Sequence, residues 1–149
     1  MAGIDVRLDH FPLVWIVNHE GTTDADYHTL LGHVGKLVER GRKFVVLTEA
    51  TDFAFPSASQ RKIIADWFPS MKGRMEKVSL GTAMVMPSAM QRGAITALNW
   101  LIRPDVPMAA FEHRPEALAW CREQLVKAGV AVPAELDGLV ERERGPKPR

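Results

Sequence analysis

The chain has 149 residues, 46% of them hydrophobic and 25% charged, and a formal net charge of +1. A domain of this length buries roughly two-thirds of its unfolded surface and needs no covalent staple. The single cysteine, Cys121, excludes an intrachain disulfide, and the near-neutral charge gives no electrostatic drive towards nucleic acid or an anionic membrane surface.

Ile4, Val6 and Leu8 alternate with Asp5, Arg7 and Asp9, the period-2 signature of a half-buried strand. His10-Phe11-Pro12 interrupts the pattern, and Leu13 to Val17 predicts a second strand that completes a hairpin over residues 4–17. Thr22-Thr23-Asp24 marks a helix start. Tyr27, Leu30, Leu31, Val34, Leu37 and Val38 then recur at helical spacing until Gly41. Phe44-Val45-Val46-Leu47 is the short apolar run of a central strand covered on both faces. Ser57-x-x-Gln60 is a capping box, and Ile63, Ile64, Trp67, Phe68, Met71, Met75 and Val78 form the stripe of the helix behind it. Pro69 falls inside that stripe, where its ring opposes the carbonyl of Ala65, so a kink or break is expected there.

Thr82 to Met86 reads as the next strand, and Ser88-x-x-Gln91 opens a helix carrying Ile95, Leu98, Leu101 and Ile102 that stops before Pro104. Val106 to Phe111 supplies a last strand. Pro115 suits the first turn of a final helix with Leu118, Cys121 and Leu125 on its apolar face and Gly129 at its stop. The order predicts an α/β fold: a mixed sheet of four to five strands, opened by a hairpin and packed with about four helices. From Val130 charge and proline dominate, so the expected organisation is one domain over 1–129 and a charged, mobile tail over 130–149. No apolar run approaches the roughly 18 residues of a spanning helix or the length of a signal-peptide core, and the expected location is cytoplasmic.

The chemical motifs are sparse. His28 and His33 are five residues apart, about 140° around a helix, which is the wrong spacing for a metal pair. No Gly-x-Ser-x-Gly elbow and no glycine-rich loop follows a predicted strand, and Cys121 sits among apolar helix positions where a thiol is inert. Neither a cofactor nor a metal site is expected. Thr48-Glu49-Ala50-Thr51-Asp52 follows the central strand, where ligands gather in open α/β sheets, and Ser57 and Ser59 approach the next helix N-terminus. There Asp52 can stabilise the turn and Ser57 can simply cap the helix. Met71, Met75, Met84 and Met86, with Trp67 and Ile95, are either ordinary core or the adaptable lining of an apolar pocket opened at Pro69.

The strand–helix order resembles the SpoIIAA-like family, related to STAS domains and CRAL-TRIO lipid carriers, over roughly residues 3–129. The resemblance is carried by Lys43-Phe44-Val45-Val46-Leu47-Thr48-Glu49-Ala50, by Gln60-Arg61-Lys62-Ile63-Ile64-Ala65-Asp66-Trp67, and by Phe111-Glu112-His113-Arg114-Pro115-Glu116-Ala117-Leu118-Ala119-Trp120. It implies a non-enzymatic module that binds a regulatory protein or a nonpolar ligand. In STAS antagonists of anti-sigma factors, a serine in an Asp-Ser-x-Gly-like motif after the central strand is phosphorylated. Here that stretch reads Asp52-Phe53-Ala54-Phe55-Pro56-Ser57-Ala58-Ser59, and the motif is absent.

The expected function is therefore a regulatory or scaffold module acting by protein contact through Glu49, Thr51, Asp52, Phe53, Phe55, Ser57 and Ser59. One alternative is a carrier or sensor of a lipid-like molecule held by Trp67, Met71, Met75, Met84, Met86 and Ile95. Another is a hydrolase-type enzyme pairing Glu49 or Asp52 with His19 or His113.

Overall fold

A computed structural model of the protein describes residues 3–19, 21–50, 56–102 and 106–144. Strand β1 (Ile4–Arg7) and strand β2 (Leu13–Asn18) form the expected hairpin, antiparallel with Val6 opposite Ile16. Helix α1 (Asp24–Arg40) leads to β3 (Phe44–Ala50), α2 (Ala58–Val78) to β4 (Ser79–Val85), and α3 (Ala89–Ile102) to β5 (Met108–Phe111). Helices α4 (Arg114–Lys127) and α5 (Ala134–Arg144) complete the chain order. Among the described residues the sheet has five strands in the order β1-β2-β3-β4-β5, and β2 to β5 run parallel. The expected α/β class with a mixed sheet is observed, and β3 is its middle strand.

Local chemistry explains these boundaries. Thr23 caps α1 reciprocally: its hydroxyl accepts from the Asp26 amide while the Asp26 carboxylate accepts from the Thr23 amide. Gly41 ends the same helix in the left-handed region at φ 71°. Ser57 and Gln60 form the capping box of α2. That helix runs from Ala58 to Val78 without a break at Pro69. Pro69 and Ala65 both lie on the exposed side of α2, so water can reach the carbonyl that the missing N–H leaves open.

The sheet has a core on each face. On one face Leu13, Trp15, Val17, Val45, Leu47 and Ala83 meet Ala117, Leu118, Cys121 and Leu125 of α4. On the other, Val14, Ile16, Phe44 and Val46 meet Leu37 and Val38 of α1 and Val78 of α2. Phe44 to Leu47 are all buried because alternate residues point into opposite cores. Gly81 permits one close approach: an added Cβ would lie 2.7 Å from Cη2 of Trp120 and 3.0 Å from the Pro107 carbonyl oxygen.

The sequence reading is corrected at the carboxyl end. Residues 134–144, expected to be mobile tail, form α5, and Leu136 and Val140 are buried against the α4 core. Leu136, Leu139 and Val140 supply a narrow apolar stripe that the surrounding Glu and Arg residues obscure. Among the described residues there are thus five helices rather than about four.

Candidate partner-binding rim at the carboxyl ends of the strands

Because β2 to β5 run parallel, their carboxyl ends share one edge, and each is followed in sequence by a helix whose N-terminus returns to that edge. Asn18, Glu49, Val85 and Phe111 lie at these ends, beside the first turns of α1, α2, α3 and α4.

Gln60 fastens two of those turns together. Its Oε1 accepts from the Ser57 amide at 2.9 Å, and its Nε2 donates to the Thr22 carbonyl at 2.9 Å. Both ends of a buried amide are thereby satisfied. Ser57 and Ser59 share a hydroxyl contact at 3.1 Å, and the Ser59 hydroxyl donates to Asp24 Oδ1 at 3.2 Å. Both serines are exposed. Across the rim, Arg92 Nη1 donates to the carbonyls of Met86 and Pro87 at 2.8 and 2.7 Å, while its Nη2 stands 3.9 Å from Glu112.

Glu49 is the most confined charged group of this edge. Its side chain is 11% exposed; Oε1 accepts from Trp15 Nε1 at 2.8 Å and Oε2 from Arg114 Nε at 3.1 Å. The Arg114 guanidinium also lies over the Trp15 ring, 5.1 Å from its centroid, and Arg7 stands 5.7 Å from the same ring. Strand register explains the meeting. Trp15 pairs with Leu47, and Glu49 lies two residues further along β3, on the same face of the sheet. Arg114 arrives from the first residue of α4.

Of the sequence-derived contact residues, the structure places Glu49, Ser57 and Ser59 on this rim. Thr51, Asp52, Phe53 and Phe55 lie outside the described residues. Glu49 is buried and engaged rather than presented to solvent. The histidines considered as its acid–base partners have other neighbours: His19 Nε2 is 2.8 Å from Asp5 Oδ2, and exposed His113 is 3.9 Å from Glu112. Hydrogen bonding from His19 holds the Asp5 carboxyl below its ordinary range. Sequence reasoning missed Trp15 and Arg114. The available signal was a tryptophan in a wholly apolar central strand, since a buried indole N–H needs an acceptor.

The six residues proposed for an apolar pocket are distributed over α2, β4, α3 and the segment just past β4. Met71 and Met75 of α2 pack against the α1-side core, Met84 is half-buried on β4, and Met86 is buried just past that strand's end. Trp67 meets Phe68 edge to face at 5.7 Å, and Ile95 of α3 is half-buried. Among the described residues, no group of three or more His, Cys, Asp or Glu side chains is placed to hold a metal ion. No helix among them is long and apolar enough to cross a membrane.

No family model matches the chain, and neither a curated protein nor a solved structure matches it.

Proposed function

We propose that the protein is a regulatory or scaffold module that acts by protein contact, with the rim around Ser57, Ser59 and Asp24 as its contact surface. The observation that carries this reading is the anchoring of the rim. Gln60 ties the start of α2 to the start of α1, and on the α4 side of the same sheet edge Trp15 and Arg114 occupy both oxygens of Glu49. A surface held this way presents exposed hydroxyls and a carboxylate in a preset arrangement, which lowers the ordering cost of association. The resemblance of the strand–helix order to SpoIIAA-like domains favours the same reading. A photo-crosslinking amino acid placed at Ser59 is expected to capture a protein from native lysate that the same probe at Lys77, near the other end of α2, does not capture. Capture of the same proteins from both positions, or of none from Ser59, would defeat it.

A second reading follows from the coverage of the α1–α2 face. Although α2 spans 21 residues, its buried residues are Gln60 and Val78; Ile63, Ile64, Trp67, Met71 and Met75 are only half-buried. A helix seated this shallowly can lift to admit a nonpolar chain, and methionine walls repack around differing shapes. Saturable binding of a fluorescent fatty acid, blocked by Met84→Trp without loss of thermal stability, is the expected result. Absence of binding up to the ligand's solubility limit would remove the reading.

A further inference from the structure

Strand β1 stands at one edge of the sheet, and its backbone shows which groups that edge offers. The His19 amide donates to the Gly3 carbonyl at 2.9 Å, so Gly3 and His19 form a hydrogen-bonded pair. Hydrogen-bonded and non-hydrogen-bonded pairs alternate along an antiparallel ladder. Asp5 and Arg7 therefore turn their N–H and C=O groups towards β2, while Ile4 and Val6 turn theirs outward. The Leu8 carbonyl accepts from the Phe11 amide. Among the described residues, no further strand covers the outward groups of Ile4 and Val6.

We propose that β1 pairs antiparallel with β1 of a second copy, about a two-fold axis at Val6, joining two five-stranded sheets into one continuous sheet. Val6 then faces the partner's Val6 as a hydrogen-bonded pair, which suits the outward direction of its backbone groups. Ile4 faces the partner's Leu8, and Asp5 faces the partner's Arg7. The Asp5–Arg7 positions are non-hydrogen-bonded pairs, the class in which opposed side chains approach closest.

Charge selects this register. Moving the axis one residue towards Asp5 sets Asp5 against itself, and moving it one residue towards Arg7 sets Arg7 against itself. Like charges directly opposed are unfavourable. Charged residues on an edge strand ordinarily guard it against indiscriminate pairing. Here the order apolar–acid–apolar–base–apolar over Ile4–Leu8 is self-complementary in one antiparallel register. Asp5 and Arg7 stand 3.9 Å apart within the strand and are 56% and 47% exposed, so this contact and those with His19 and Trp15 leave room for an ionic partner across the edge.

The apolar face of the same strand agrees. Ile4, Val6 and Leu8 border one side of a groove of 200 Å³ whose α1 wall carries Asp26 and His33 as well as Thr29 and Leu30, and Leu8 is 39% exposed. In the paired arrangement the partner's Leu8 lies beside Ile4 at the mouth of this groove, and the partner's groove receives Leu8 by symmetry. The surface lies on the flank of the sheet and is independent of the rim at the strand carboxyl ends.

Sedimentation of the full chain across a concentration series tests the arrangement. A reversible dimer is expected. Asp5→Arg sets an arginine against the partner's Arg7 and should weaken dimerisation about tenfold or more, since two symmetry-related pairs change sign together. The double exchange Asp5→Arg/Arg7→Asp restores opposite charges in the same register and should return most of the affinity. Val6→Pro removes an outward N–H without touching the β2 ladder, so it should abolish the dimer while circular dichroism still shows a folded chain. A monomer at every concentration up to the solubility limit overturns the proposal. So does a dimer indifferent to Asp5→Arg, or one that the double exchange fails to rescue.

Discussion

On the α4–α5 face of the sheet, Leu13, Leu47, Leu118, Cys121, Leu125 and Leu136 are completely buried, whereas Ile63, Ile64, Trp67, Met71 and Met75 of α2 remain partly exposed. The same strands supply both cores, so the difference comes from the covering helices. Helix α4 buries Ala117, Leu118, Cys121 and Leu125 at helical spacing and is itself backed by α5. Helix α2 has the longer apolar stripe yet seals less: Met71 and Met75 pack against the α1-side core while staying partly exposed. The length of an apolar stripe thus says little about how tightly it will be buried. What counts is whether another layer closes over it.

That contrast sets the mutational scale. Leu118→Ala and Leu136→Ala should each cost about 2–5 kcal/mol in urea unfolding, because both empty a fully packed site. Met75→Ala, at a half-buried site, should cost only about 1 kcal/mol. Equal losses at Leu118 and Met75 would erase the distinction between the faces. A negligible effect at Leu136 would return residues 134–144 to the status of a tail.

Pro69→Ala sharpens the comparison from the other side and carries the opposite sign. Restoring an N–H on the exposed side of α2 should raise stability by about 1–3 kcal/mol. Slower amide exchange confined to α2, with the α4 amides unchanged, is the signature expected of a locally weakened helix. An unchanged unfolding midpoint would show that Pro69 does not limit this face.

A smaller effect is expected at the buried carboxylate. Arg114→Ala removes one donor to Glu49 but leaves the Trp15 N–H, and the Arg114 side chain is 41% exposed, so a loss of about 1 kcal/mol follows. Arg114→Lys should recover part of this and not all, because a single ammonium cannot reproduce the planar stacking on Trp15. Full recovery by lysine would mean that only the charge matters.

Cys121 gives the smallest effect at neutral pH. Burial pushes its thiol up to about 12 from an ordinary 9.0. Between those values the unfolded chain releases the thiol proton while the folded chain retains it, so stability falls as pH rises through that window. The stability advantage of the wild type over Cys121→Ala should therefore be constant below pH 9 and shrink above it, by up to about 1.4 kcal/mol per pH unit. A thiol reagent at pH 8 should label Cys121 only as fast as the chain unfolds. Rapid labelling of the folded protein would show that the α4–α5 core opens locally.

Much of the fold was legible in the sequence because its signals are local. Alternation in residues 4–8, the unbroken apolar run at Phe44–Leu47, the helix start at Thr22–Asp24, the capping box at Ser57 and the stop at Gly41 are short-range steric and hydrogen-bonding effects, each written within a few residues. They determined the order of elements, the hairpin, and the central position of β3. What they could not contain was the docking of α5, since a stripe as narrow as Leu136, Leu139 and Val140 becomes a buried face only when α4 offers a surface to receive it. The same limit hid the partners of Glu49. Trp15 and Arg114 are 34 and 65 residues from it along the chain, and only parallel pairing of β2 with β3, with α4 laid across that face, brings an indole N–H and a guanidinium to one carboxylate. Hydrogen bonds between residues so far apart depend on the three-dimensional path of the chain, which is why tertiary structure alone decided them.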